Sequence, residues 1–233
     1  RLIGPVLKKR GVVIIPAFAI GRTTLVLYHL RKLQEAGRLP DVPVFVDSPM
    51  ATDAVKLYCR YGNEHNLKVS LLENYKDCLI QARTTRLVKS SEDSKRLNQR
   101  QGPMIIISAS GMATAGRVLH HLKHRLPNRL NMVLLVGYQA VGTRGRALQD
   151  GAKKVKLLGE PVEVRAKVAS IRGLSAHGDC DEVLRWLKSA KIPPKKIILV
   201  HGEGKGIKAM AEVVAKEFNA KPLVPAYLEK IEL

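Results

Sequence analysis

The chain has 233 residues, of which 45% are hydrophobic, and it carries 40 Lys or Arg against 20 Asp or Glu. A chain of this length and apolar content can bury a sizeable core, which excludes an intrinsically disordered protein. The net charge of +20 predicts a polyanionic partner and says nothing about the fold.

Short apolar strands alternate with helices over the first 150 residues. Four segments are predicted to be buried strands, each followed by a loop of small residues and then by a helix. The strands are Gly11 to Ile15, Val42 to Val46, Met104 to Ile107 and Met132 to Val136. The helices are Thr23 to Gln34, Thr52 to Tyr61, Arg117 to Arg125 and Arg144 to Gln149. This alternation predicts an α/β fold in which helices cover both faces of a parallel sheet.

The remaining segments of the chain show a different pattern of polar and apolar residues. Residues 62–100 are polar and charged, and we expect helices and loops packed on the surface there. Short strands are predicted further on, at 155–158, 162–164, 168–171 and Lys196 to Val200. Helices are predicted from Asp181 to Ser189 and from Ile207 to Phe218. We place the domain boundary near residue 172.

The cysteine residues and the hydropathy pattern give information about the cellular compartment of the protein. The three cysteines, at positions 59, 78 and 180, cannot all pair with one another and show no Cys-x-x-Cys spacing. We therefore expect free thiols rather than a disulfide framework or a structural zinc cluster, which favours a reducing, cytoplasmic location. No apolar run approaches the length of a membrane span, and no signal peptide is visible. We expect no membrane partner.

The loops that follow the predicted strands would meet at one edge of a parallel sheet, where ligands of open α/β sheets bind. The loops Ser108 to Gly116 and Gly137 to Gly142 precede helices, whose free N–H groups suit phosphate. Arginines lie beside these loops, at positions 22, 117, 144 and 146. The pattern favours a track for a chain of phosphates. Neither a Walker A sequence nor Gly-x-Gly-x-x-Gly at the first turn occurs, so we expect no nucleotide cofactor.

Two histidines directly follow or lie close after predicted strands, at positions where catalytic or metal-binding side chains are common. His201 follows a predicted strand and precedes Gly-Glu-Gly, so it is a candidate zinc ligand, although a core histidine at a strand end fits the same pattern. His177 lies between a strand and a helix, where it could bind a phosphate beside Ser175, protonate a leaving oxygen, or be an ordinary loop histidine. His120 and His124 are interpreted as part of a basic helix face.

A catalytic metal pair would need more ligands than the sequence offers. Two-metal hydrolases bring several histidines and aspartates together around a bridging water. This chain has one strong candidate, His201, and contains no His-x-His-x-Asp-His cluster. We therefore expect that the chain alone does not hold a pair of catalytic metals.

Eight short motifs occur in a fixed order along nearly the whole chain. They are Pro16 to Arg22, Val46 to Ala51, Ile107 to Met112, Gly116 to Leu122, Val136 to Ala140, Gly142-Thr143, Ser175 to Asp179 and Leu199 to Glu203. Their combination resembles the β-CASP members of the metallo-β-lactamase superfamily, the RNA-processing nucleases. In that family the β-CASP domain is inserted into the metallo-β-lactamase domain. The resemblance implies a β-CASP domain at 1–172 and a returning, partial αββα segment at 173–233.

The resemblance also implies roles for individual residues. His177 would contact the scissile phosphate and assist catalysis together with Ser175, and His201 would be a zinc ligand. The implied substrate-binding residues of the β-CASP domain are Arg22, Ser48, Ser110, Gly111, Arg117, Gly142 and Thr143. The family's His-x-His-x-Asp-His motif would lie upstream of residue 1. The chain therefore resembles the carboxyl-terminal half of a longer enzyme and is expected to be inactive alone.

The implied activity is that of a zinc-dependent ribonuclease, an endonuclease and/or 5′ exonuclease of RNA processing or decay. Two zinc ions would activate a water for attack on a phosphodiester, and the basic loops would clamp single-stranded RNA. The alternatives are a DNA nuclease of the same superfamily and a module that binds RNA without cleaving it. Aromatic residues make up only 4% of the chain, which predicts little base stacking. A homodimer through the returning segment is a further expectation of the resemblance.

Overall fold

The computed structural model describes residues 1–64, 78, 80–81, 84–171, 173–174, 177–202 and 204–232. Strands β1 to β8 are Val12–Pro16, Val44–Asp47, Thr85–Val88, Met104–Ser108, Met132–Leu135, Lys154–Leu157, Glu160–Glu163 and Lys167–Ser170. Helices α1 to α8 are Gly4–Lys8, Arg22–Glu35, Pro49–Arg60, Ser91–Gln99, Val118–Arg125, Arg144–Gln149, Cys180–Lys188 and Gly204–Phe218. Within these ranges, no helix combines the length and apolar character needed to cross a bilayer.

Six strands form one sheet in the order β3-β2-β4-β1-β5-β8, and every pair of neighbours in it is parallel. Strands β6 and β7 form a separate antiparallel hairpin. All residues of β1, β2, β4 and β5 are buried, which explains why these strands are continuous apolar runs in the sequence. The predicted parallel α/β fold is confirmed.

Helices cover both faces of the sheet. Val13 and Ile15 of β1 pack in one core with α2 and α3. Val12 and Ile14 of the same strand face the other way and pack with α4, α5, α6 and the β6–β7 hairpin. The chain therefore leaves β1 toward one face, whereas it leaves the neighbouring strands β4 and β5 toward the other. Such divergence opens a crevice at the carboxyl edge of the strands, the usual ligand site of open α/β sheets.

The chain divides into two compact units, Arg1–Ser175 and Ala176–Leu233. The division falls close to residue 172, and the functional assignment of the two domains stays a prediction. The second unit contains α7 and α8 around a small buried cluster of Leu184, Ile197 and Val214.

The strand predicted from Lys196 to Val200 is wrong. Only Ile198 pairs, through an isolated parallel bridge to Leu223. Leu223 accepts a hydrogen bond from the backbone N–H of Leu199, at 2.8 Å. The segment thus has a neighbour along one edge within the described part of the chain, and Val200 is exposed. An apolar run alone predicted a buried strand, but a strand also needs pairing partners on its edges.

The expectation of free thiols is wrong for two of the three cysteines. Cys59 of α3 and Cys78 form a disulfide, while Cys180 is a free and exposed thiol. The paired residues are 19 positions apart, and the fold brings their Cα atoms to 4.8 Å. Sequence spacing contains no sign of this contact because it arises from packing. The cysteine pattern therefore gives no support to a reducing compartment.

Candidate nucleic-acid interface and histidine site

Three loops are joined at the carboxyl edge of the large sheet: residues 17–21 after β1, 109–117 after β4 and 136–143 after β5. Gln139 is buried and donates from Nε2 to the carbonyl oxygens of Gly111, at 3.1 Å, and Gly137, at 3.4 Å. The backbone N–H of Gly145 donates to the carbonyl of Met112, at 2.9 Å. These hydrogen bonds hold the loops after β4 and β5 against each other.

The loop after β4 also rests on the loop after β1. A β-carbon at Gly111 would lie 3.0 Å from Cδ2 of Phe18 and 3.1 Å from its backbone nitrogen. Such contacts are tighter than most that a β-carbon makes, so a larger residue at this position would push against Phe18. The loop after β1 is fixed in turn, because the Phe18 carbonyl accepts hydrogen bonds from the hydroxyl and the backbone N–H of Thr23, at 2.8 and 3.2 Å. The three loops therefore form one rigid surface.

Arg22 carries a donor that the protein does not use. It is the first residue of α2, and its Cζ and Nη2 atoms would lie 3.8 Å from a β-carbon at Gly137. Its Nη1 atom is buried and has no hydrogen-bond partner within the described ranges. Leaving a buried donor unsatisfied costs about 1–3 kcal/mol, and more when the group is charged. A bound anion would remove this cost, so the geometry suits the predicted contact between Arg22 and a phosphate.

The hydroxyls predicted to bind phosphate organise their own loops. The Ser48 hydroxyl caps α3 by accepting from the N–H of Ala51, at 3.3 Å, and the Thr143 hydroxyl caps α6 by accepting from the N–H of Arg146, at 3.2 Å. The Ser110 hydroxyl accepts from the N–H groups of residues 114 and 115, at 3.1 and 3.3 Å. Gly142 precedes the cap of α6 with a φ of +81°. Phosphate binding by these four residues stays a prediction.

Arg117 is engaged by a buried carboxylate. Asp47 ends β2 and is fully buried, and its Oδ1 accepts from Nη1 of Arg117 at 2.8 Å. Its Oδ2 accepts from the Ser94 hydroxyl at 2.6 Å and lies 2.6 Å from Nε2 of His121, which is also fully buried. Arg117 donates further from Nη2 to the carbonyl of Lys89, at 2.8 Å. The guanidinium predicted to meet phosphate is therefore held by Asp47 and the Lys89 carbonyl while its side chain stays 21% exposed, and its contact with phosphate stays a prediction.

The Asp47 carboxylate is charged despite its burial. Burial raises its pKa, but the hydrogen bonds from His121, Ser94 and Arg117 lower the pKa by more, so the net shift is downward. The sequence analysis missed this cluster. The one signal available was an acidic residue directly after a buried strand.

The second unit brings the two histidine loops to one groove. Gly178 and Gly202, which directly follow His177 and His201, both line a groove of about 450 Å³. Both histidines are exposed. His201 has a φ of +64°, and a β-carbon at Gly202 would lie 2.5 Å from Cβ of Ile207, so the chain turns tightly there into α8. The residues that directly follow the two predicted histidines thus line the same groove, and the roles of the histidines themselves stay predictions.

Further predicted features of this site lie partly outside the described residues. Ser175 is one of these, so its prediction stays as it was. Asp179 caps α7, accepting from the N–H of Glu182 at 2.9 Å, while the Glu182 carboxylate accepts from the N–H of Asp179 at 2.9 Å. This reciprocal capping fixes the start of α7 next to the His177 loop.

Zinc requires three or four protein ligands. Within the described ranges, no three or more His, Cys, Asp or Glu side chains are arranged to hold a metal ion. His201 supplies one imidazole and no more. The residues that the structure describes therefore do not fit a complete zinc site.

Two models of known protein families match the chain and define its family. The model of the Beta-Casp domain matches residues 23–148. The model of the Zn-dependent metallo-hydrolase RNA specificity domain matches residues 161–225. The chain belongs to the β-CASP family of metallo-β-lactamase-fold proteins, and the resemblance found in its motifs is confirmed.

Individual proteins are similar to this chain at moderate sequence identity. The chain is 36% identical to Ribonuclease TTHA0252 of Thermus thermophilus over 212 residues, 90% of this chain and 47% of that protein. It is 36% identical to the RNase J-like protein of Methanocaldococcus jannaschii over 225 residues, 96% of this chain and 50% of that protein. Transcription termination factor FttA of the same organism is 27% identical over 239 residues, all of this chain and 37% of that protein. The chain thus spans half or less of these relatives.

Proposed function

We propose that the protein acts in a zinc-dependent ribonuclease that hydrolyses RNA phosphodiester bonds, with the carboxyl edge of the large sheet as the surface that binds the RNA backbone. The observation that carries this proposal is the buried, unpaired Nη1 of Arg22 beside the rigid loop at Gly137. The net charge of +20 supports a polyanionic substrate. The relatives named as ribonuclease and RNase J-like protein support RNA and hydrolysis.

Each residue has a distinct part in the proposal. Arg22 donates to a non-bridging phosphate oxygen of the bound strand. His177, which is exposed and directly precedes the groove residue Gly178, donates a proton to the scissile phosphate or its leaving oxygen. His201 is proposed as one ligand of a zinc site, since the matched RNA specificity domain is described as Zn-dependent. The residues that the structure describes do not complete that site.

A second candidate is a factor that binds RNA without cutting it. The unpaired Arg22 donor and the net charge of +20 support binding of RNA and do not by themselves require cleavage. It uses the same Arg22 surface and differs only in the role of His177. A homodimer and a cytoplasmic location stay predictions.

The test compares binding and cleavage in the same variants. End-labelled single-stranded RNA and DNA of one sequence are incubated, in the presence of zinc, with the intact zinc enzyme in which this chain is proposed to act and with its Arg22→Ala and His177→Ala variants. Arg38→Ala is the control for Arg22, because Arg38 is exposed just beyond the other end of α2. His120→Ala, an exposed histidine on α5, is the control for His177.

The outcomes separate the candidates. We expect Arg22→Ala to weaken RNA binding about tenfold, as for the loss of one charge-assisted hydrogen bond, while Arg38→Ala leaves it unchanged. We expect His177→Ala to abolish cleavage and retain binding. If the intact enzyme binds RNA and never cuts it, the binding factor replaces the ribonuclease. If only DNA is cut, the substrate assignment is wrong.

A further inference from the structure

The carboxyl edge of the large sheet exposes large apolar side chains beside its phosphate-binding candidates. Phe18 is 52% exposed and Tyr138 is 59% exposed. Ile20 and Val141 are also exposed in the same loops, and Met50 is exposed in the first turn of α3. The strands that lead into these loops are fully buried, so the exposure begins where the sheet ends. A concentration of exposed apolar side chains at one edge indicates a binding surface.

The Phe18 ring is held rigidly with much of its surface left open. One ring edge rests against Gly111, where a β-carbon would lie 3.0 Å from Cδ2 and 3.1 Å from Cε2 of the ring. The backbone of Phe18 is fixed by the two hydrogen bonds from Thr23. An aromatic ring that is already fixed loses little conformational entropy when a flat ligand packs on it.

Tyr138 is fixed from both sides along the chain. Gly137 before it lies against the Arg22 guanidinium, and Gln139 after it is buried and bonded to the carbonyl of Gly111. Because Gly111 also contacts Phe18, the two rings stand on loops that touch each other. Arg22 lies beside Gly137 and is four residues after Phe18 in the sequence. Two exposed rings and one unpaired cationic donor therefore belong to the same small surface.

We propose that Phe18 and Tyr138 form a stacking ledge for the unpaired bases of the strand whose phosphates meet Arg22. The inference rests on the proposed function and deepens it. A single strand offers both phosphates and open base faces, whereas the bases of a duplex are already stacked on one another. The ledge thus selects single-stranded over double-stranded nucleic acid without reading sequence, since every base has a flat face. It also revises the expectation that this chain stacks few bases.

The test separates contacts with bases from contacts with phosphates. The ligands are a fluorescent single-stranded RNA, an abasic oligonucleotide with the same number of phosphates, and the RNA duplex. The variants are Phe18→Leu and Tyr138→Leu, which keep an apolar side chain and remove the ring. Tyr61→Leu is the control, because Tyr61 is 54% exposed and lies just beyond the other end of α3.

We expect each ring variant to weaken binding of the base-bearing strand at least about fivefold, the lower range for loss of one stacked base. Binding of the abasic strand and of the duplex stays as in the parent, and Tyr61→Leu changes nothing. A second measurement uses Phe18→Trp in a Trp186→Phe background, which leaves one tryptophan in the chain. Its fluorescence is quenched by the base-bearing strand and not by the abasic one.

Two results would overturn the ledge while leaving the proposed function standing. One is unchanged binding of the base-bearing strand by both ring variants. The other is an equal loss for base-bearing and abasic strands, which would mean that the rings only support the loops. If the parent binds none of the three ligands, the proposed function fails and the ledge fails with it.

Discussion

Arg117 and Asp47 form a salt bridge of 2.8 Å at the carboxyl edge of the large sheet, 70 residues apart in the chain. Asp47 ends β2, and Arg117 closes the loop after β4 at the start of α5. The bond therefore ties the end of one strand to the loop that follows its neighbour. The carboxylate also contacts Ser94 and His121, so one buried charge fixes three elements around the candidate interface.

Replacement of this carboxylate should cost much of the protein's stability. Asp47→Asn leaves the Arg117 and His121 side chains without their charged partner in a buried site, and we expect a loss of about 3 kcal/mol in the free energy of unfolding. Urea denaturation measures it. Asp53→Asn is the matched control, because its 3.1 Å pair with Lys89 is exposed and should contribute below about 1 kcal/mol. Equal losses in the two variants would contradict the role given to Asp47.

The same carboxylate should make stability depend on pH in the acid range. Its pKa is lowered in the folded protein, so the unfolded chain binds its proton more readily and the folded state loses stability as pH falls. The contribution is fully present above the unfolded pKa, about 3.9, and is lost as pH falls through the lower, folded pKa. Thermal unfolding between about pH 2.5 and 6 should show a shallower decline for Asp47→Asn than for the parent. Parallel curves would argue against the lowered pKa.

Reduction of the Cys59–Cys78 disulfide should destabilise the first unit. The bond closes a loop across 19 residues, for which loop entropy predicts a contribution of about 3 kcal/mol. Dithiothreitol should lower the urea midpoint of the parent and of Cys180→Ser by the same amount. The double variant Cys59→Ser, Cys78→Ser should start at the lower midpoint and be insensitive to the reductant. A parent that is equally insensitive would show that the bond does not form.

The contact between Arg22 and phosphate should appear in the salt dependence of RNA binding. Each neutralised phosphate of a single strand contributes about 0.7 to the slope of log affinity against log salt concentration. Arg22→Ala should lower that slope by about this amount, whereas Arg38→Ala should leave it unchanged. Fluorescence anisotropy over a range of salt concentrations measures both. If the two variants gave the same slope, the Arg22 phosphate contact would be disproved.

Metal analysis should show that these 233 residues do not retain zinc by themselves. The described residues provide no group of three ligands, and a lone imidazole binds zinc weakly. After dialysis, elemental analysis of the purified chain should find zinc far below one equivalent, with no difference in His201→Ala. A stoichiometric ion that His201→Ala removes would reveal a complete site.

The main units of the fold follow from the sequence because their strands are buried on both faces. A continuous apolar run such as Val12–Pro16 can be recognised without knowledge of its neighbours. Strand β3, Thr85–Val88, was missed because it lies at the edge of the sheet and keeps an exposed arginine, Arg86. Helix α1, Gly4–Lys8, is too short to establish a period.

The parts of the candidate site that depend on a residue's place after a strand could be predicted from the sequence. The parts that depend on contacts between distant residues could not. Arg22 and Gly111 follow buried strands, and parallel topology alone places them at one edge. The partners of Asp47 are 70 and 74 residues away, at Arg117 and His121, and no local pattern indicates such a contact. Phosphate binding by Arg117 stays a prediction, because its motif indicates an important residue without indicating Asp47 as its partner.

The strand order has a consequence for how the chain matures on the ribosome. Strand β1 emerges first, yet its two neighbours are β4 and β5, which end at residues 108 and 135. At ordinary translation rates the backbone of β1 stays without its second neighbour for roughly 6–24 s. Contacts between such distant segments also close slowly. The centre of the sheet is therefore completed late, and nascent chains of intermediate length are the ones most in need of a chaperone.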